Sequence, residues 1–188
     1  TPAPTNLYTG TPTTTLTACV GTACTATFGT FTPTSSFVAG VLNASYYYSN
    51  VGSFALQLKD TSFSSVDAVP GDTPANCAGQ YLCGPTLEVG RFVPDHFDVA
   101  FNTPVFGTTC GSFTYIGQPF NYTTAPVITV TARNSAGGST SNYTGALWQI
   151  TNASLTGKAY AAAVGTVDSS GITGTDPVIA DSGGGIGT

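Results

Sequence analysis

The apolar residues of this chain come in short runs of period two, and no stretch recurs convincingly with the period of a helix. Phe54, Leu56 and Leu58 alternate with Ala55, Gln57 and Lys59. Phe97, Val99 and Phe101 alternate with His96, Asp98 and Ala100. Successive side chains of a strand point to opposite faces, so each run reads as a half-buried β-strand. Val127–Arg133 is β-branched and runs into the turn-forming Asn134-Ser135-Ala136-Gly137-Gly138. Gly145–Thr151 reads as the next strand, with Trp148 as a core side chain. The alanines at 159 and 161–163 come nearest to a helix, yet Tyr160, Val164 and Gly165 fit a strand equally well.

Short strands separated by turn signals predict an all-β fold of tandem immunoglobulin-like β-sandwich modules. With 188 residues, two modules of roughly 100 residues each account for the chain. Pro94 supplies a hinge, which places the boundary within 91–95. The first module is then 1–93, with an extended Thr/Pro-rich leading segment over 1–15 that doubles as an edge strand. Residues 60–86, rich in Ser, Asp, Pro and Gly, form a long surface excursion from it. The second module is 94–188; Ser182–Thr188 supplies no closing strand, so the polypeptide is expected to continue.

Charged residues are only 7% of the chain, against about 25% in an ordinary soluble domain. No run of about 18 apolar residues occurs, so a membrane helix is not expected. With 41% hydrophobic residues and a net charge of -5, there is enough apolar surface for a core. Lys59 is the first charged residue, and a surface of hydroxyls and amides is poorly protected against self-association. The four basic residues Lys59, Arg91, Arg133 and Lys158 are too few to track phosphates, which argues against nucleic acid as a partner.

Five cysteines are present. Cys19 and Cys24 flank a small loop, and Cys77 and Cys83 bracket Ala78-Gly79-Gln80-Tyr81-Leu82. Both spacings suit short disulfide loops in an oxidising compartment. They suit zinc poorly, because zinc sites recruit further Cys or His and the chain has one His. Cys110 is unassigned, and the connectivity stays open.

Candidate chemistry is sparse. His96 lies between Asp95 and Asp98, as a strand-end His beside two acids, with no nucleophile elbow in the chain. Asp95 and Asp98 lack the run of oxygen ligands that calcium needs. Glu88 and Arg91 point to opposite strand faces, and Arg91 suits a salt bridge at the sheet end or between modules. Neither a catalytic residue nor a metal or cofactor is expected. Tyr46, Tyr47 and Tyr48 form an aromatic cluster that fits either a glycan-contact surface or the core. Asn43, Asn121, Asn142 and Asn152 match the glycosylation pattern, which a Thr/Ser-rich chain meets often by chance.

Several blocks occur in a specific order. They are Tyr46-Tyr47-Tyr48-Ser49-Asn50-Val51-Gly52-Ser53-Phe54-Ala55-Leu56, then Val89-Gly90-Arg91-Phe92-Val93-Pro94-Asp95-His96-Phe97, then the segment from Cys110 to Phe120. Thr131–Gly138 and Asn142–Gly145 follow. In order and spacing these resemble the MshQ-like family, associated with mannose-sensitive haemagglutinin type IV pili of Gram-negative bacteria, over roughly residues 37–188. The resemblance implies an exported, multi-module protein of the cell surface, linked to pilus biogenesis or pilus-borne adhesion, without enzyme activity. Its partners would be other pilus or surface-protein subunits. Two alternatives stand beside this: a self-polymerising filament subunit whose uncharged leading segment donates a strand to a neighbour, and a carbohydrate-binding module.

Overall fold

The computed structural model describes residues 12–18, 24, 27–33, 38–43, 45–60, 82–108, 110–113, 115, 117–156, 159, 161, 164–166, 170 and 178–188. Within them the chain is all-β. Its strands are β1 (Thr13–Thr17), β2 (Phe31–Pro33), β3 (Tyr46–Tyr48), β4 (Gly52–Asp60), β5 (Leu82–Cys83), β6 (Leu87–Phe92), β7 (His96–Phe101), β8 (Val105–Phe106), β9 (Tyr122–Thr124), β10 (Ile128–Arg133), β11 (Asp181–Gly183) and β12 (Ile186–Gly187). The strand pairs between these elements are all antiparallel, and the multi-sheet arrangement is consistent with a β-sandwich.

The long strand β4 organises the first half. It pairs β1 along one edge, with Thr13 opposite Lys59 and Thr17 opposite Ala55, and β5 and β6 along the other. Flanked on both sides, β4 buries Phe54 and Ala55 together, so the period-two pattern of its sequence is blurred by cover on both faces. Phe54 is fully buried and meets Phe31, Tyr48 and Phe92 at centroid distances of 5.7, 4.6 and 5.7 Å. Burying a Phe-sized side chain contributes about 1.5–3 kcal/mol, which makes this aromatic knot the main stabilising unit of the half. Leu16, Phe28, Leu56 and Val89 pack around it.

The second half is ordered β11-β12-β10-β7. β10 and β7 run in register from Ile128 opposite Phe101 to Arg133 opposite His96. One face carries Phe97, Val99, Phe101, Ile128, Val130 and Ala132. Of these only Val130 and Ala132 are buried, and every residue of β7 is exposed. β7 was expected to be half-buried; it is an edge strand whose apolar face runs past the core. A two-stranded ribbon, β8 with β9, extends the same region.

Two local expectations are corrected. Gly145–Thr151 is not a strand. Gly145 adopts φ +57 and opens a 3-10 turn, Gly145–Leu147, and a second 3-10 turn, Asn152–Ser154, follows directly after the span. The last residues do form strands: β11 and β12 make a hairpin, and β12 pairs β10 at Val130 and Thr131. Glycine makes that possible. A side chain at Gly187 would run into the Trp148 ring and Ile179. The Ala159–Ala163 stretch lies largely outside the described residues, and 61–81 of the excursion expected over 60–86 lie wholly outside them. At its described ends Asp60 closes β4 and Leu82–Cys83 forms β5 against it, so these are strand instead.

No strand pair joins residues before 93 to residues after 94 among the described strands. Packing does cross that line. Val51, from the first half, is buried with Ala132 and Tyr143 from the second, and Leu147, Trp148 and Ile150 pack against the three.

Candidate functional site: the joint and its cleft

Two asparagines hold the halves together. Asn142 is buried, and its carboxamide treats Val51 as a partner strand would. Its Oδ1 accepts the Val51 N–H at 2.9 Å, and its Nδ2 donates to the Val51 carbonyl at 2.7 Å. The same Nδ2 reaches the Thr27 carbonyl at 3.3 Å. Asn134 closes its own turn by accepting the N–H groups of Ala136 and Gly138 on Oδ1, at 3.1 and 2.9 Å. Its Nδ2 then donates to the Ser49 carbonyl at 3.0 Å. A buried amide is retained only when its polar atoms are paired, and here the pairing runs between residues distant in sequence.

Beside this joint lies an open cleft of about 380 Å³, lined by Tyr46, Tyr47, Tyr48, Asn50, Phe92, Val93, Pro94, Asp95, Asn134 and Ser135. The three tyrosines play different parts. Tyr48 is in the core: its ring meets Phe54 and Phe92, and its hydroxyl oxygen accepts the Gly29 N–H at 3.0 Å. Burial pushes the Tyr48 phenol above its ordinary range, opposed in part by that backbone donor. Tyr46 stacks on Phe31 at 4.9 Å and stays 40% exposed. Tyr47 is half-buried. A second cleft of about 340 Å³ opens on Val51, Gly52, Arg91, Phe92, Val93, Pro94, Tyr143, Ala146, Leu147 and Gln149. Phe92, Val93 and Pro94 are thus walls of both.

The other sequence candidates sit as follows. His96 is exposed, with Nδ1 2.8 Å from Asp95 and Nε2 3.8 Å from Asp98. Arg133 donates from Nε to Asp98 at 2.7 Å and from a terminal nitrogen to Ser139 Oγ at 2.9 Å. These solvent-facing pairs orient the β7–β10 edge and add little stability. Glu88 and Arg91 form no ion pair among the described residues; Arg91 lines the second cleft instead. No group of three or more His, Cys, Asp or Glu side chains there is arranged to hold a metal. Cys110 is a free, half-buried thiol, and neither Cys24 nor Cys83 is a free thiol. Cys19 and Cys77 lie outside the described residues. Asn142, although it matches the glycosylation pattern, has its amide nitrogen committed inside the joint; Asn43 and Asn121 are exposed.

Sequence reasoning missed three features. In the sequence the bridging asparagines carry only turn and sequon signals. Asp181 is an exposed clamp. Its carboxylate accepts the Thr144 hydroxyl at 2.6 Å and the N–H groups of Gly145 and Gly183 at 2.6 and 2.8 Å. Those bonds, the Thr144 hydroxyl first, hold its carboxyl below the usual range. The third is the region between Asp98 and Arg133, which contains no charged residue. Among its described residues are ten exposed large apolar side chains, including Phe101, Phe106, Phe113, Phe120 and Tyr122. Phe106 meets Phe120 edge-on at 5.0 Å and stacks with Tyr122 at 4.9 Å.

No helix among the described residues is long and apolar enough to cross a membrane. No curated protein and no solved structure matches the chain. A family model described as DUF6701, third domain, matches residues 50–185, a span that begins just ahead of Val51 and takes in β4 to β11 as well as both bridging asparagines. The chain therefore belongs to the DUF6701 family, as a third-domain member.

Proposed function

We propose that this chain is a non-catalytic structural and adhesive module of a pilus-associated protein on the bacterial surface, with immunoglobulin-like sandwich topology. One observation carries the reading: the charge-free stretch between Asp98 and Arg133, with ten exposed large apolar side chains among the described residues. Exposed apolar patches of that kind mark surfaces made to meet another protein. The order of the Tyr46–Leu56, Val89–Phe97 and Cys110–Phe120 blocks supports the link to the mannose-sensitive haemagglutinin pilus. Short disulfide loops, Cys19 with Cys24 and Cys77 with Cys83, belong to the same exported setting.

The filament alternative is less well supported. Its donor segment is partly engaged, because Thr13–Thr17 already pairs β4 of its own chain.

Immunogold labelling of intact cells that carry the tagged, full-length protein tests the proposal. Gold on the cell surface and along pili is expected; label confined to the cytoplasm would overturn it. Alkylation before reduction should modify Cys110 alone, and labelling of all five cysteines would remove the disulfide loops.

A further inference from the structure

We infer that the cleft beside the joint is a binding site for a neutral saccharide. The inference deepens the adhesive reading and rests on it only for where the sugar is met. The cleft has the three parts such a site needs. The first is an aromatic platform: Tyr46 is backed by Phe31 at 4.9 Å, 12° from parallel, and remains 40% exposed beside the cleft. The electron-rich face of a backed, rigid ring takes the C–H face of a pyranose at little conformational cost. The second is unspent hydrogen-bonding capacity. The side chains of Asn50 and Ser135 line the cleft and have no hydrogen-bond partner among the described residues. Asp95 binds His96 through Oδ2 alone, leaving Oδ1 to accept a sugar hydroxyl. The third is rigidity. Asn134, whose turn presents Ser135, is fixed to Ser49 at 3.0 Å, so opposite walls are held at constant separation before any ligand arrives.

The charges decide the class of sugar. Among the described residues, Asp95 is the only charged one on the cleft wall, which disfavours sialic and uronic acids and leaves neutral polyols. A volume of about 380 Å³ lies at the small end of ligand sites, about 300–1,000 Å³, which fits one or two sugar rings. The neighbouring cleft with Arg91 is the natural internal control, because it would attract the anionic sugars that this one repels.

The test is a titration of the isotopically labelled chain, followed by amide resonances, with lactose, maltose, N-acetylglucosamine and N-acetylneuraminic acid as separate probes. At least one neutral probe should shift Asn50, Asp95 and Ser135 together, and N-acetylneuraminic acid should leave them in place. Asn50→Ala and Ser135→Ala, which touch no described hydrogen bond of the fold, should each weaken that binding several-fold with Tm unchanged. Tyr46→Ala should weaken it about tenfold or more; because it also uncovers Phe31, its effect counts only alongside the two polar variants. Shifts confined to the Arg91 side, equal response to the acidic probe, or no shift with any neutral probe would each overturn the assignment. A sugar bound here by a chain that never reaches the cell surface would leave the site standing and remove only the adhesive role.

Discussion

Asp181 and Tyr48 show how single groups tie this fold to pH in opposite directions. The Asp181 carboxyl is held low by the Thr144 hydroxyl and two backbone donors, so its bonds stabilise the folded chain while it is ionised. That contribution is present above the ordinary carboxyl value of 3.8 and fades as pH falls through the lower folded value. Asp181→Asn should therefore lower neutral-pH stability and flatten the acid limb of a pH–Tm curve. An acid limb identical to the parent would discount the clamp. Tyr48 is the reverse case: its phenol is held high, so its contribution is whole below the ordinary value of 10.0 and is lost as pH rises through the folded one. Tyr48→Phe removes the acceptor for the Gly29 N–H, a change of about 0.5–1.5 kcal/mol by urea denaturation, and should remove the alkaline loss with it.

Among elements, the C-terminal hairpin depends on residues without side chains. Gly185 has φ +77, its carbonyl accepts the Ala132 N–H at 2.8 Å, and a methyl group there would strike the Thr140 carbonyl. Gly185→Ala combines backbone strain with that clash. It should cost about 1–3 kcal/mol and loosen β12 from β10, read as faster amide exchange at Ala132. These strands were hidden from sequence reading because Ser182–Thr188 offers no alternation of apolar and polar residues. β4, β7 and β10 were legible for the opposite reason: Phe54-x-Leu56, Phe97-x-Val99 and Ile128-x-Val130 carry the period in their own side chains. Alternation names the faces of a strand but not what covers them, which is why β7 was expected to be half-buried and is exposed along its whole length. Gly145 shows the converse, where a single positive φ cancels a run that otherwise reads as a strand.

For the molecule as a whole, the Asn142–Val51 pairing couples the two halves, and no local pattern could have announced it: a lone polar side chain reaching 91 positions along the chain has no period. Asn142→Ala strands two buried backbone groups and should cost about 1–3 kcal/mol. Asn142→Asp keeps an acceptor for the Val51 N–H but loses both donors and buries a charge, so it should cost more than the alanine variant in urea melts; the opposite order would mean that the amide is not the link. The charge-free stretch between Asp98 and Arg133 has a different consequence. Contacts made there involve no ions for electrolyte to screen and no counterions to release. Their strength should stay level from dilute to concentrated monovalent salt and rise on moderate warming, the thermal signature of apolar burial.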